Sequence, residues 1–200
     1  HQCQNHCTRM DYEGPVAIRE IKRLAAVNGR NEFLSEIWEK PDEPADVKAA
    51  VIGAGPAGLA AAYFLARAGF DTSLYEKEAS AGGVVRSTIP EFRIPEKAID
   101  DDVDFIRECG VDFHFSESVT VNDLRKAGYE YIFIAIGAEK ERTMDLPGNG
   151  PSEGAVAFLR RCKAGDKISI GEHVVVVGGG NTAMDASRMA KRIPGVSDVT

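Results

Sequence analysis

The stretch A-A-V-I-G-A-G-P-A-G-L, from Ala49 to Leu59, decides the fold of this chain of 200 residues. It opens on apolar residues, as a buried parallel strand does, and the run from Leu59 to Ala68 is rich in alanine and leucine, which favour a helix. The turn between them carries three glycines, Gly53, Gly55 and Gly58. The pattern predicts a strand, a tight glycine turn and a helix in direct succession.

The spacing of these glycines is that of a dinucleotide-binding turn. Gly53 permits the sharp turn, Gly55 lets a pyrophosphate approach the backbone, and Gly58 lets the helix pack closely on the strand. Phosphates would then bind the free N–H groups at the positive end of the helix. Pro56 costs little there, because the N–H that it lacks has no partner at a helix start. The alternative is a structural glycine turn in an α/β domain that binds no nucleotide.

An acidic residue follows at the distance that such a turn requires. The apolar run from Thr72 to Tyr75 predicts a second strand, and Glu76 ends it. In dinucleotide-binding units a carboxylate about 20 residues after the turn accepts a hydrogen bond from a ribose 2′-OH. Because a carboxylate there repels a 2′-phosphate, the first turn favours FAD or NAD over NADP.

A second glycine turn, V-V-G-G-G-N-T-A, spans Val176 to Ala183. We expect a β-branched strand over His173 to Val177 before it and a helix from Asn181 after it. Ala183 replaces the third glycine and is still small enough for close packing. Asp185 would face the nicotinamide or polarise the first turn of its helix, and we favour the second role. A structural glycine loop is again the alternative. Two nucleotide turns in one chain indicate transfer between two cofactors.

Four further motifs accompany the two turns. They are A-G-G at Ala81 to Gly83, a strand that ends in A-I-G at Ala135 to Gly137, S-T-I-P-E-F-R-I-P at Ser87 to Pro95, and D-Y-E-G-P-V-A-I-R-E-I-K-R at Asp11 to Arg23. Together with the turns, these motifs resemble the family of glutamate synthase small subunits and dihydropyrimidine dehydrogenases. Within that family they are most similar to a flavoprotein subunit assigned to selenate reductase. The resemblance covers almost the entire chain.

The resemblance implies an α/β fold with three parts. A Rossmann-like FAD-binding domain would span 45–150, the start of an inserted NAD(P)H-binding Rossmann domain would span 151–200, and a short α-helical, iron–sulfur-associated segment would span 1–44. It also implies an electron-input activity. Hydride would pass from NADPH or NADH to FAD, and electrons would leave through iron–sulfur clusters to a partner domain or subunit.

The family motifs assign site residues by position. FAD contacts fall on Gly53, Gly55, Ala57, Gly58, Glu76, Gly82, Gly83, Val84, Arg93, Val119 and Gly137. Val119 would contact the adenine end through its backbone, and the alternative for Arg93 is a solvated loop arginine. NAD(P)H contacts fall on Gly178, Gly180, Asn181, Thr182 and Ala183.

Four cysteines are scattered along the chain. In the family, a C-x₃-C pair such as Cys3 and Cys7 supplies the later thiolates of an iron–sulfur site whose earlier cysteines lie upstream. We expect Cys109 and Cys162 to be small buried hydrophobic residues. Because scattered cysteines without a disulfide framework indicate a reducing compartment, we expect a cytoplasmic protein.

Charge and hydropathy exclude several classes of function. Lys and Arg number 24 against 31 Asp and Glu, a net charge of −7 without a basic stripe, which argues against nucleic acid. No apolar run approaches the ~18 residues that span a bilayer, and no secretory signal is visible. A thioredoxin reductase-like disulfide reductase is disfavoured because no C-x-x-C or C-x₄-C pair lies beside the first turn. A non-catalytic flavin-binding module for docking is the other alternative.

The sequence lacks an initiator Met, and residues 197–200 form only the beginning of a strand. We therefore expect a piece of a longer protein, with the residues that select NADP over NAD beyond it. By itself this piece should bind FAD weakly and oxidise no NADPH, because neither site would be enclosed. The remaining predicted elements are helices over 15–28, 33–38, 96–109, 122–127 and 155–162, strands over 112–115 and 130–136, and a boundary at 41–44.

Overall fold

The computed structural model describes residues 2–37, 46–138, 141 and 152–200. It divides the chain into two units, His1–Lys40 and Pro41–Thr200. The predicted end of the second helix at Trp38 and the predicted boundary at 41–44 lie outside the described residues.

The first unit is helical. Its elements are α1 (Gln2–Asn5), a 3₁₀ turn (Thr8–Asp11), α2 (Ile18–Asn28), α3 (Arg30–Glu32) and a π-helical turn (Phe33–Ile37). The sequence predicts that the helix at α2 begins at Pro15, and this start is wrong. The helix begins at Ile18 because Ala17, with a ψ of 56°, lies outside the helical range.

The second unit begins with a four-stranded parallel sheet. Its strands are β1 (Lys48–Ile52), β2 (Asp71–Glu76), β3 (Asp112–Phe115) and β4 (Tyr131–Ile134), and their spatial order is β3-β2-β1-β4. Ala49, Ala50 and Val51 of β1 are fully buried. Because β4 lies on the opposite side of β1 from β2, the strand order reverses beside β1. In open α/β sheets, ligands bind at the carboxyl ends of the strands at such a reversal.

Helices separate the strands of this sheet. They are α4 (Pro56–Arg67), α5 (Gly83–Ser87), α6 (Glu96–Glu108) and α7 (Val121–Lys126). The helices predicted over 96–109 and 122–127 are confirmed to within one residue at each end. Helix α4 begins three residues before the predicted Leu59. The sequence did not predict α5, because a helix of 5 residues carries no readable periodicity.

Helices α4 and α6 form the main core on one face of the sheet. Its buried side chains are Val51, Ala54, Leu59, Ala62, Ala66, Leu74, Ala81, Ile99, Val103, Ile106 and Val111. The core contacts both the glycine turn, through Ala54, and the segment after β2, through Ala81. The turn is therefore held in place by packing at its base.

The remainder of the second unit is a smaller α/β element. It consists of α8 (Ala155–Ala164), β5 (His173–Val174), α9 (Asn181–Ala190) and β6 (Asp198–Val199), with β5 parallel to β6. The strand predicted over 173–177 is shorter, although Val176 still donates a backbone hydrogen bond to Thr200 at 2.7 Å. Within the described ranges, no helix is long and apolar enough to cross a membrane.

Candidate dinucleotide sites

Two glycines of the first turn are required by the packing of the protein itself. Gly53 directly follows β1, has a φ of +102°, and would place a Cβ 2.6 Å from the carbonyl oxygen of Ala135. Gly58, in the first turn of α4, would place a Cβ 1.8 Å from the carbonyl oxygen of Gly53. Any side chain at either position would therefore collide with backbone. These two glycines let the turn, α4 and the end of β4 approach closely.

Gly55 is different, because no contact among the described residues requires it to be glycine. Its backbone, with φ −75° and ψ 179°, is open to any residue. A Cβ built there has its nearest neighbour, the Cα of Gly83, at 3.9 Å. The space in front of Gly55 is thus a cradle that a side chain would fill. A pyrophosphate that approaches the backbone at the start of α4 fits this arrangement.

The segment after β2 closes over this cradle. Gly82 donates its N–H to the carbonyl oxygen of Ala54 at 2.8 Å. Gly83, with a φ of +52°, would place a Cβ 2.9 Å from the Cα of Gly55. The two glycines thus bring a second backbone segment against the turn. Val84 is exposed at the start of α5, and Ala57 is exposed at the start of α4.

Glu76 connects the end of β2 to the glycine turn. Its carboxylate is buried and accepts hydrogen bonds from the backbone N–H groups of Ala54 at 2.7 Å and Glu78 at 3.0 Å. A carboxylate has about four acceptor sites, so capacity remains for a ribose hydroxyl. The structure therefore gives Glu76 a role in positioning the turn that the sequence did not predict. Its contact with a ribose stays a prediction.

The loops after β3 and β4 lie at the same edge of the sheet. Glu117 donates its N–H to the carbonyl oxygen of Glu76 at 2.9 Å, and Val119, two residues further on, is half-buried. Gly137 follows β4 with a φ of +71° and is exposed. The fold therefore brings the residues predicted around the first nucleotide to the carboxyl ends of the strands. Their individual contacts stay predictions.

The second turn forms another cradle. Gly178 has a φ of +131°, and its Cβ position lies 3.5 Å from the Cβ of Ala183, which is buried in α9. A Cβ at Gly179 or Gly180 would meet no atom within 4 Å. Gly180 is the residue before α9 and, among the described contacts, offers no side-chain cap to the helix. The first N–H groups of α9 are therefore suited to an anion.

Asp185 does not have the role that the sequence favoured. It is the fifth residue of α9, beyond the first turn, and its buried carboxylate accepts a hydrogen bond from Nε of Arg93 at 2.6 Å. The prediction that it polarises the first turn of its helix is wrong. The same contact shows that Arg93 is not a freely solvated arginine, because its guanidinium is ion-paired across 92 residues of sequence.

The cysteines differ in their surroundings. Cys3 is exposed and Cys7 is half-buried, and hydrogen bonds from the backbone N–H groups of Val16 and Arg9 lower the pKa of the Cys7 thiol. A lowered pKa favours the thiolate, the form that binds metal. Burial raises the pKa of Cys109, which is buried, and of Cys162, which is half-buried. In the part of the chain that the structure describes, no three His, Cys, Asp or Glu side chains lie together as a metal site.

Comparisons with known proteins agree with this geometry. The profile of the family described as pyridine nucleotide-disulphide oxidoreductase matches residues 47–200. The Escherichia coli (strain K12) protein named "Putative oxidoreductase YgfK" is 47% identical over 204 residues, which cover 100% of this chain and 20% of that protein. The NADPH-Fe(3+) oxidoreductase subunit beta of Geobacter sulfurreducens (strain DL-1 / KN400) is 34% identical over 204 residues, 96% of this chain and 30% of that subunit.

A solved structure supports the fold. The His57Gln mutant of FprA from Mycobacterium tuberculosis superposes with a TM-score of 0.59 at 23% identity, over 72% of this chain and 36% of that one. The chain spans 20% of the length of the Escherichia coli relative and 30% of the length of the Geobacter sulfurreducens relative. Its two parallel sheets, each with a glycine turn after one of its strands, form the Rossmann-type α/β fold that the sequence predicts. The chain belongs to the pyridine nucleotide-disulphide oxidoreductase family.

Proposed function

We propose that this chain is the electron-input part of a flavoprotein oxidoreductase. FAD binds at the first turn, NADPH or NADH binds at the second, and electrons pass from the flavin to an acceptor on another domain or subunit. The observation that carries the proposal is the pair of open cradles at Gly55 and Gly180, each at the start of a helix and each in the same compact unit. Two such cradles in one unit suit a donor and an acceptor of hydride.

The chain's own residues bind and orient rather than react. When bound, FAD takes two electrons and a proton from the nicotinamide and releases the electrons singly. The N–H groups at the starts of α4 and α9 hold the phosphates, and Glu76 holds the ribose of the first nucleotide. Hydride transfer needs no side-chain nucleophile and no acid–base pair from the protein. The fold therefore has to hold the two glycine turns at the separation that hydride transfer requires.

The exit route of the electrons is also part of the proposal. Cys3 and Cys7 would supply two thiolates of an iron–sulfur site, and the backbone hydrogen bonds that lower the pKa of Cys7 suit a thiolate ligand. The 1–44 segment then carries electrons away from the FAD domain at 45–150, while 151–200 begins the nicotinamide domain. The acceptor would be a selenate reductase or glutamate synthase-like site in the cytoplasm. The relative from Geobacter sulfurreducens is named as a subunit, which supports a partner subunit but does not identify it.

The test is anaerobic addition of NADPH and, separately, NADH to the purified full-length protein that contains this chain. We expect one of them to bleach the flavin absorbance. A flavin that dithionite reduces but neither nucleotide reduces would contradict the proposal and favour the non-catalytic docking module.

Gly180→Val tests the second cradle independently of the first. Its φ of −80° and the open space around it permit a side chain, so folding and flavin content should stay normal. The valine would occupy the place where the second pyrophosphate approaches, and we expect flavin reduction by NADPH to slow at least about tenfold with a raised KM. Reduction of the same variant by dithionite is the control and should be unchanged. Normal reduction by NADPH would show that the second turn does not hold the nicotinamide cofactor.

Cys3→Ser tests the exit route. In the intact protein this change should lower the iron content and slow electron transfer to an artificial one-electron acceptor, while NADPH still reduces the flavin at its normal rate. The thiolates lie on the exit side of the flavin in this proposal, which is why the two rates separate. Cys109→Ser is the matched control, since Cys109 is buried at the end of α6. Unchanged iron in Cys3→Ser would make this cysteine structural.

The disulfide chemistry in the family's name is less well supported in this chain. Cys3 and Cys7 belong to the first unit, whereas both nucleotide turns belong to the second. Cys109 is buried, and burial raises the pKa of its thiol, which disfavours a nucleophilic thiolate. We therefore propose an electron-transfer flavoprotein and not a disulfide reductase.

A further inference from the structure

The loop between α5 and α6, Pro90–Pro95, contacts α8 and α9, the two helices of the smaller α/β element. We call it the bridging loop. Arg93 of the loop donates from Nε to Asp185 of α9 at 2.6 Å. The Arg93 side chain is 37% exposed and that of Asp185 is 10% exposed, so the carboxylate end of the pair is largely desolvated. A carboxylate in such a place depends on its cation, because an unpaired buried charge is strongly destabilising.

Two other contacts join the same surfaces. The guanidinium groups of Arg188 and Arg192 lie 4.1 and 4.5 Å from the ring centroid of Phe92, within the range of cation–π attraction. Asp185, Arg188 and Arg192 are spaced i, i+3, i+7, which places them along one side of α9 and the turn that follows it. The side of α9 that meets the bridging loop is thus charged, and the loop supplies the complementary groups.

Lys163 of α8 adds a third contact. Its Nζ lies 3.6 Å from Glu91 and 3.3 Å from Glu96, the first residue of α6, and its side chain is only 10% exposed. The bridging loop is therefore held by both helices of the second nucleotide element. It is also short and ordered, since Arg93 and Ile94 both donate backbone hydrogen bonds to the carbonyl oxygen of Pro90.

The chain path links the Arg93–Asp185 pair to both cradles. Gly83, which contacts Gly55, opens α5, and the bridging loop follows within a few residues. On the other side, Asp185 lies five residues, about one and a half helical turns, after Gly180. The only side-chain hydrogen bond of Arg93 that the structure describes uses Nε, so its Nη groups can still face a flavin. Contact with a cofactor and pairing with Asp185 are thus compatible.

We propose that Asp185 is a positioning residue for hydride transfer. Through Arg93 it fixes the bridging loop against α9 and so sets the separation of the two nucleotide turns. The inference rests on the proposed function. In this proposal Asp185 acts through Arg93 and not on a nucleotide, and the hydride still leaves the nicotinamide with both electrons and adds to the flavin. What the pair supplies is alignment, and a misplacement of about 1 Å can slow a reaction roughly 100-fold.

The test is Asp185→Asn in the flavin-loaded protein, followed by anaerobic stopped-flow reduction with saturating NADPH. We expect the rate of flavin reduction to fall about 10- to 100-fold, with flavin content normal and KM for NADPH within about twofold, because both phosphate cradles are intact. In the flavin-free protein, the backbone amides of the bridging loop should exchange faster with deuterium. Asp101→Asn is the matched control, since it removes the negative charge of the exposed Lys97–Asp101 ion pair at 2.7 Å, and neither measurement should change.

Several outcomes would overturn the inference. An unchanged reduction rate in Asp185→Asn would overturn it, and so would a slower rate that follows only from lost flavin. If Asp185→Asn does not fold, Asp185→Glu keeps the charge but displaces it by one methylene, and an unchanged rate in that variant would overturn the inference equally. Flavin that neither NADPH nor NADH reduces even in the unsubstituted protein would overturn the proposed function, and this inference with it.

Discussion

Gly55→Val in the full-length protein is expected to give a folded protein that purifies without flavin. The backbone of Gly55 has φ −75° and ψ 179°, which valine adopts without strain, and the nearest atom to its Cβ position is 3.9 Å away. The branched side chain would instead occupy the cradle between the first turn and Gly83. A pyrophosphate cannot approach the N–H groups at the start of α4 past such a side chain. We expect loss of nearly all flavin absorbance.

Gly14→Val is the matched control for this variant. Gly14 lies in the first unit, and a Cβ at this position would meet no atom of the described residues within 4 Å. It therefore receives the same side chain at a position that belongs to neither glycine turn, and the variant should retain flavin. The circular dichroism spectra of both variants should match that of the unsubstituted protein. A folded Gly55→Val protein with normal flavin content would show that the first turn is a structural loop.

The sequence was sufficient to predict the order of the elements around each turn. Glycine spacing and apolar runs are local signals, and β1, α4 and β2 follow them because each buries its apolar residues in the same core. The sequence also predicted that Glu76 ends a strand, because the apolar run before it marks the length of β2. Its two hydrogen bonds to backbone N–H groups could not be predicted, because they depend on how β2 and the turn meet in space.

The partner of Asp185 could not be predicted from sequence patterns. A local rule, that acids favour the first turn of a helix, suggested a role for this residue, and the rule failed because Asp185 is the fifth residue of α9. Its actual partner, Arg93, lies 92 residues earlier in the chain. The sequence offered only a weaker signal for this pair, which is that both residues belong to family motifs. Arg93 lies in S-T-I-P-E-F-R-I-P, and Asp185 lies in G-G-G-N-T-A-M-D. Each motif contributes one charge to the pair.

The three glycines of the first turn look equivalent in sequence, and the structure separates them. Gly53 and Gly58 meet backbone atoms at 2.6 and 1.8 Å from their Cβ positions, whereas the Cβ position of Gly55 meets the Cα of Gly83 at an ordinary contact distance of 3.9 Å. The first two glycines are therefore required for folding, and we propose that the third serves ligand binding. We therefore expect a substitution at Gly55 to remove flavin without unfolding the protein, and a substitution at Gly58, three residues later, to destabilise the fold.

Gly58→Ala is expected to destabilise the protein even when no flavin is present. A methyl group 1.8 Å from the carbonyl oxygen of Gly53 can be accommodated only if α4 moves away from β1 and β4, which separates Leu59 and Ala62 from the core. Overpacking against side chains costs about 1–3 kcal/mol, and here the obstacle is backbone, so we expect a loss of about 3 kcal/mol or more. This reverses the usual effect of glycine to alanine in a helix, a gain of roughly 0.5–1 kcal/mol.

Chemical denaturation of the flavin-free protein measures this loss, and Gly55→Ala is the internal comparison. At Gly55 the added methyl would lie 3.9 Å from its nearest neighbour, an ordinary van der Waals distance, so the free energy of unfolding should change by less than about 1 kcal/mol. The flavin-free form matters, because bound flavin stabilises the folded state by mass action and would hide the difference between a folding glycine and a binding glycine. Equal unfolding free energies for Gly55→Ala and Gly58→Ala would mean that α4 does not pack against the first turn as closely as the 1.8 Å approach requires.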